Sequence, residues 1–340
     1  MTARIFMLLS MTAISLLMVQ TSRGTSISIP ALAVSYTITD IGTLGGPNSG
    51  AFAINDNGDI VGVAEAAPGK YGPLRHACLW HDGKIIDLGE GYACDINNQG
   101  QCVGMSNTKG FLYQHGTIQT LKMRVAGVDR VASAAIRIND LAEIIGCIYT
   151  DEQTISFCWR NGKVQHLWTG EDFVVAGINN KGSFVGQRHG IAALYRADKW
   201  WKLGTLGGPS SEAMCVNDDD VVAGIADTVD SEDPAEGVQA MRVRATFLWR
   251  KGKITAVENF ARKAQTDKIP FRNNHKMFGF FPYVPDGKGG LQHVSTLLPR
   301  DSGWTEIEAA CINKHGQIVG KGKIKGLYHA FLLSPTTGNK

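Results

Sequence analysis

The sequence predicts an all-β protein, a β-propeller of seven four-stranded blades whose ring is closed by the N-terminal strand. Three observations carry that expectation. A hairpin motif recurs about every 40 residues, each copy is followed by the signals of two further strands, and the chain ends are complementary, one strand short at the C-terminus and one strand over at the N-terminus. Composition agrees, since 44% of the residues are hydrophobic, only 19% are charged, and 40 glycines suit many tight turns between short strands.

From the start of the chain, Arg4 precedes an uncharged, mostly apolar run from Ile5 to Val19. That is a signal-peptide pattern, so residues 1–33 read as a signal peptide and short leader. Cleavage is expected either near Ser22 to Ser26 or after the small-residue pattern Ala31-Leu32-Ala33. No later stretch approaches the ~20 apolar residues a membrane span needs. The expected mature chain is therefore secreted or periplasmic, without a transmembrane domain. Losing Arg4 and Arg23 takes the formal charge from +3 to +1, which gives no electrostatic footprint for nucleic acid.

The repeat begins with Ala53-Ile54-Asn55-Asp56-Asn57-Gly58-Asp59-Ile60-Val61-Gly62 and returns around Asn97, Asn139, Asn179, Asn217 and Asn313, with Gly seven residues after each Asn. An Asn, two polar residues and a Gly make a tight turn between two strands, so each Asn reads first as a turn residue. The Asn positions are 42, 42, 40 and 38 residues apart, and then 96 separate Asn217 from Asn313. That gap fits two repeats, with a degenerate copy at Asn273; without it the count would be six. After each hairpin comes a short apolar segment such as His76-Ala77-Cys78-Leu79-Trp80, Ser156-Phe157-Cys158-Trp159 or His329-Ala330-Phe331-Leu332. Two-residue turns such as Asp82-Gly83 and Asn161-Gly162 then open a fourth strand. Four antiparallel strands per repeat is propeller-blade arithmetic. The last copy stops without its fourth strand, whereas Ser35 to Gly42 forms a spare one, so inserting the first strand into the last blade removes the exposed edges. One propeller domain is expected over 35–335, followed by a tail at 336–340.

Asp40-Ile41-Gly42-Thr43-Leu44-Gly45-Gly46, the Ile-Asn-x-x-Gly-x-Ile-Val-Gly hairpin and His329-Ala330-Phe331 together resemble the HAF family of extracellular repeat proteins. The resemblance runs from about Tyr36 to Leu333 and is weak between Glu258 and Leu297. It implies export and a repeat fold; it brings no general activity and no catalytic residues.

Cys78, Cys94, Cys102, Cys147, Cys158, Cys215 and Cys311 show no CxxC spacing and fall inside strands, so they read as small buried hydrophobes. One disulfide between Cys94 and Cys102, which flank a hairpin turn, is the alternative. If the first strand is outermost in its blade, the Asn turns and the Asp-Gly turns share one rim, and the loops of variable length share the other. Function on a rigid scaffold concentrates in variable loops. The longest runs from Asp227 to Ala245, and Asp227, Asp230, Glu232, Asp233 and Glu236 on it, with the basic Arg262, Lys263 and Lys268 further on, form the candidate ligand-binding set. Four of them, Asp227, Asp230, Glu232 and Asp233, could hold Ca²⁺, although no EF-hand spacing is present and a solvated acidic loop is the simpler reading. The nine histidines make no HxH or HExxH pair, and Gly-x-Ser-x-Gly is absent. The leading functional expectation is a monomeric propeller that binds a protein or glycan on its variable-loop rim, without a firmly expected cofactor. A propeller hydrolase or lyase acting on extracellular polysaccharide or peptide at the central channel is the second, and a structural envelope component the third.

Overall fold

The computed structural model describes residues 35–69, 72–123, 131–169, 172–228, 244–256, 283–285 and 291–336. The leader, the degenerate copy at Asn273 and the tail from 337 lie outside the described residues. The chain enters on β1 (Ser35–Asp40). One blade then comprises β2 (Gly45–Ile54), β3 (Ile60–Ala66), β4 (Arg75–His81) and the first half of β5 (Lys84–Ile96). The second half of β5 begins the next blade, with β6 (Cys102–Ser106), β7 (Lys109–Gln114) and β8 (Thr117–Thr120), so these two blades share one continuous strand. A third four-stranded sheet follows: β9 (Ala132–Ile138), β10 (Ile144–Tyr149), β11 (Thr154–Arg160) and β12 (Lys163–Thr169). The fourth is β13 (Val174–Ile178), β14 (Phe184–Arg188), β15 (Ile191–Arg196) and β16 (Lys199–Gly204), and the fifth β17 (Gly207–Val216), β18 (Val222–Thr228), β19 (Arg244–Arg250) and β20 (Lys253–Ala256). A two-stranded pair, β21 (Tyr283–Pro285) and β22 (Leu291–His293), precedes the last sheet of β23 (Thr305–Ile312), β24 (Ile318–Ile324) and β25 (Leu327–Thr336).

That last sheet is completed by β1, which lies antiparallel to β25 with Ser35 opposite Thr336 and Asp40 opposite Phe331. The spare strand thus fills the missing place, as the two ends of the sequence require. The innermost strands, β2, the second half of β5, β9, β13, β17 and β23, meet around one cavity of about 70 Å³. Four-stranded antiparallel sheets gathered around a shared axis define a β-propeller-like fold.

Both recurring sequence motifs follow from one packing event. Pairing of each inner strand with its neighbour slips by one residue just before the Asn, for example between Ala93 and Asp95 or between Ala213 and Cys215. At the slip the inner strand's carbonyl leans onto the glycine seven residues after the Asn, on the next strand. A Cβ on Gly62, Gly104, Gly146, Gly186, Gly224 or Gly320 would stand 1.9–2.1 Å from a backbone oxygen, so no other residue fits. The bare glycine is then covered from the far side. Gly104 pairs with Phe111, Gly146 with Phe157, Gly224 with Phe247 and Gly320 with Phe331, and these four rings are fully buried. Aromatic cover over a glycine within a sheet restores the apolar burial the glycine lacks. Where the pairing residue is Ala193, the ring comes from Phe173, which lies beside Gly186. The core is accordingly a set of layers between consecutive sheets, such as Val103, Leu112, Ile138, Ile144 and Phe157, or Leu194, Ala213, Val222 and Phe247.

Candidate functional site

The repeated asparagines are turn residues, and they also join one sheet to the next. In all six described copies Oδ1 accepts the backbone N–H groups two and four residues on, as from Leu141 (3.0 Å) and Glu143 (2.8 Å) onto Asn139. Nδ2 of Asn55, Asn97, Asn139 and Asn179 donates to the carbonyl of the following copy's Asn at 2.8–3.1 Å, and Asn313 donates to Asn55 at 3.0 Å. A second belt runs beside the first. The N–H of Asp56, Asn98, Asp140 and Asn180 donates to the side chain of Asn98, Asp140, Asn180 and Asp218 respectively, and that of Lys314 to Asp56. The turn role accounts fully for Asn in a sequence, so the belt leaves no separate signal there.

Histidine and aspartate from two copies of the repeat form matched clamps. Nδ1 of His329 lies 2.8 Å from Asp40 and Nδ1 of His76 lies 2.9 Å from Asp87. A carboxylate can only accept, so Nδ1 carries the proton in both. Each Asp also accepts the N–H of the Gly two residues on, Gly42 at 2.9 Å and Gly89 at 2.8 Å. The first clamp spans the closure of the ring.

Of the sequence-predicted site residues, Asp227 is the one described, and it is buried. Its Oδ2 accepts the Ser210 hydroxyl at 2.7 Å and its Oδ1 the Arg244 Nε at 3.1 Å. Glu65 makes the equivalent contacts, with Asn48 at 2.8 Å and Arg75 at 3.6 Å. Gly46 and Gly208 lie so close to Glu65 and Asp227 that a Cβ would meet them within 2.7 Å. Asp227 therefore anchors the Gly-Gly-Pro segment that Glu65 anchors at the other copy. Asp230, Glu232, Asp233, Glu236, Arg262, Lys263 and Lys268 lie outside the described residues. Among the described residues no group of three His, Cys, Asp or Glu side chains could hold a metal ion.

All seven cysteines are free thiols, and Cys94 is not opposite Cys102, which pairs with Ile96 across the turn. Trp304 packs against Phe331 and Trp200 against Phe173 and Tyr195, inside the sheets' own packing.

Two concavities carry chemistry. The first is the axial cavity, where the residue two before each Asn lines the wall: Ala53, Asp95, Arg137, Gly177, Cys215 and Cys311. Here the repeat loses its pattern, which is the signal that would have singled these positions out. Asp95 accepts the N–H of Ile96 (3.0 Å) and of Ile138 (3.1 Å), and Arg137 donates to the Ile136 carbonyl at 3.0 Å. Burial pushes the Asp95 carboxyl up to about 6, although Arg137 and the two N–H groups pull it down. Burial likewise lifts Cys215 to about 12 and Cys311 to about 11, so both are neutral thiols at neutral pH.

The second concavity, about 320 Å³, lies between β12 and the turns of the next sheet. It is lined by Arg160, His166, Lys181, Tyr195, Arg196 and Asp198, over Phe184. His166 stacks on Trp168 with ring centres 5.2 Å apart and planes within 13°, and meets Phe184 and Tyr195 edge-on. The Tyr195 hydroxyl donates to Asp198 at 2.8 Å. Arg160 is paired with the buried Glu143 and Arg196 with Asp220. Lys181 lies in an Asn turn, and Arg196 and Asp198 in the turn between β15 and β16, so the two kinds of turn do share a rim.

The strand pairing and the axial cavity define a β-propeller-like repeat protein. No protein-family model matches the chain, and no curated protein does. Among solved structures it is similar to YCF48 bound to D1 peptide, at 11% identity over 89% of this chain and 97% of that one, with a TM-score of 0.43. It is also similar to a triple arginine-to-alanine mutant of AofleA from Arthrobotrys oligospora, at 12% identity over 72% of this chain and 94% of that one, with a TM-score of 0.28.

Proposed function

We propose that the chain is an exported, monomeric binding protein of HAF-repeat type, a closed seven-bladed ring that holds a protein or glycan on its rims. One observation carries the binding reading: a groove of about 320 Å³ on the rim between two sheets is ligand-sized and is edged by hydrogen-bonding side chains and the part-exposed Tyr195 ring. The axial cavity, at about 70 Å³, has room for only a few waters. Several rim histidines and acids are already engaged in clamps, namely His76 with Asp87, His329 with Asp40 and His81 with Asp59. The variable-loop rim beyond Asp227 is the second binding surface in this proposal. The seventh blade is supported by the 96-residue interval before Asn313 and by Asn273-Asn274, which repeats the Asn-then-acceptor pair that the two belts use elsewhere. A glycan array and a pull-down with the purified protein test the reading; the absence of any ligand in both would refute it.

A further inference from the structure

We propose that the groove between β12 and the turns of the next sheet is a subsite for an acidic sugar, a pyranose ring bearing a carboxylate. This deepens the binding reading above and rests on it. The groove is assembled from ordinary repeat positions of two blades, so no single copy of the motif reveals it. Its volume, about 320 Å³, is at the lower end of the range for small-ligand sites.

The charge facing a ligand there is lopsided. Glu143, which balances Arg160, is 2% exposed, and Asp220, which balances Arg196, is 15% exposed; the arginines themselves are 47% and 44% exposed. Both counter-charges therefore stand behind the guanidiniums. Lys181 is exposed and makes no ion pair among the described residues. A ligand entering meets three cations, Arg160, Lys181 and Arg196, against one carboxylate, Asp198, which already accepts the Tyr195 hydroxyl. Guanidinium groups held from behind by carboxylates keep a fixed orientation and lose little freedom when they bind an anion.

The remaining groups suit the ring of a sugar. His166 is held flat on Trp168, and its ring nitrogens have no hydrogen-bond partner among the described residues. A fixed imidazole offers one donor and one acceptor to hydroxyls, and Gln165 and Asp198 add an amide and a carboxylate on the same wall. Tyr195, part-exposed and stacked on the buried Phe184, supplies the apolar surface on which the C–H face of a pyranose packs. A bare phosphate would use the cations and leave this aromatic and hydroxyl-binding wall idle.

The test is isothermal titration calorimetry of the purified protein with trigalacturonate and with neutral galactotriose, for the wild type, Lys181→Ala and His166→Ala. Melting temperatures would confirm that both variants remain folded. Trigalacturonate is expected to bind at least about tenfold more tightly than the neutral trisaccharide, to lose about fivefold in Lys181→Ala and about tenfold in His166→Ala, and to weaken as salt rises. Equal binding of the neutral sugar, unchanged binding in both variants, or no binding of trigalacturonate each overturns the assignment. If the glycan array and pull-down still yield a ligand, only this assignment fails; if they yield none, the binding reading fails with it.

Discussion

Replacing Asn139 by Ala isolates what the asparagine belt contributes. Its side chain is completely buried and makes four hydrogen bonds: it accepts from Leu141 (3.0 Å) and Glu143 (2.8 Å) and donates to the Glu143 carboxylate (2.7 Å) and the Asn179 carbonyl (2.9 Å). At about 1 kcal/mol net for each bond, and with buried partners that find no water, the loss comes to about 4–5 kcal/mol. For a domain of this size that lowers Tm by about 8–10 °C, at about 2 °C per kcal/mol, which calorimetry would read directly. Asn139→Asp keeps both acceptor bonds but sets a carboxylate against Glu143, and should be at least as damaging. Glu143→Gln added to it sets an amide donor against the new carboxylate and should recover about 1–2 kcal/mol; a Gln is accommodated at this position in other copies, where Gln101 and Gln317 accept from Asn97 and Asn313. A fall of less than about 3 °C in Asn139→Ala would refute the view that the belt holds neighbouring sheets together.

Removing residues 35–42 takes away the β1–β25 pairing, the His329–Asp40 clamp and the Trp80 Nε1 bond to the Ile41 carbonyl; the whole domain should melt at least about 10 °C lower, and an unchanged Tm would rule out closure by β1. Asp95 should make the fold less stable as pH rises. Its folded pKa, about 6, lies above the ordinary 3.8, so ionisation from pH 4 to 6 costs the folded state more than the unfolded one. The loss should reach about 2–3 kcal/mol, and urea unfolding of wild type and Asp95→Asn should diverge over that window; parallel pH curves would contradict it. Gly146→Ala should cost about 3 kcal/mol, because the new methyl meets the Ala134 carbonyl and the Phe157 ring. Gly162→Ala, at a turn with φ 79° and open space around the Cβ, should cost only about 1 kcal/mol. Similar losses in the two variants would count against the close approach.

Local turn chemistry and strand counting are written in the sequence at fixed spacing, so the hairpins, the repeat and the fit between Ser35–Asp40 and the incomplete last sheet could be read from it. The glycine seven residues after each Asn was visible as a pattern, but its cause was not, because the carbonyl that crowds it belongs to another strand. Asp227 was read as part of an acidic loop because its neighbours in sequence are acids. Its real peer is Glu65, a different residue type in a distant copy, and only the shared contacts with Ser210 or Asn48 and with an arginine reveal the match. The rim groove was invisible for a similar reason. His166 and Asp198 are unremarkable within their own repeats, and only the packing of adjacent sheets brings them to one wall.

The pairing of Ser35 with Thr336, 301 residues apart, also sets an order in time. During synthesis β1 is made long before β25 and has no partner until β25 has followed it. Each described sheet between them can form from neighbouring segments of chain, but the β1–β25 pairing cannot form before β25 has been made. Until then β1 and the outer edge of β25 are each an unpaired strand edge, open to other chains. Secure folding therefore depends on keeping the earliest strand unoccupied for longest, and a product truncated before Leu327 would leave it without a partner.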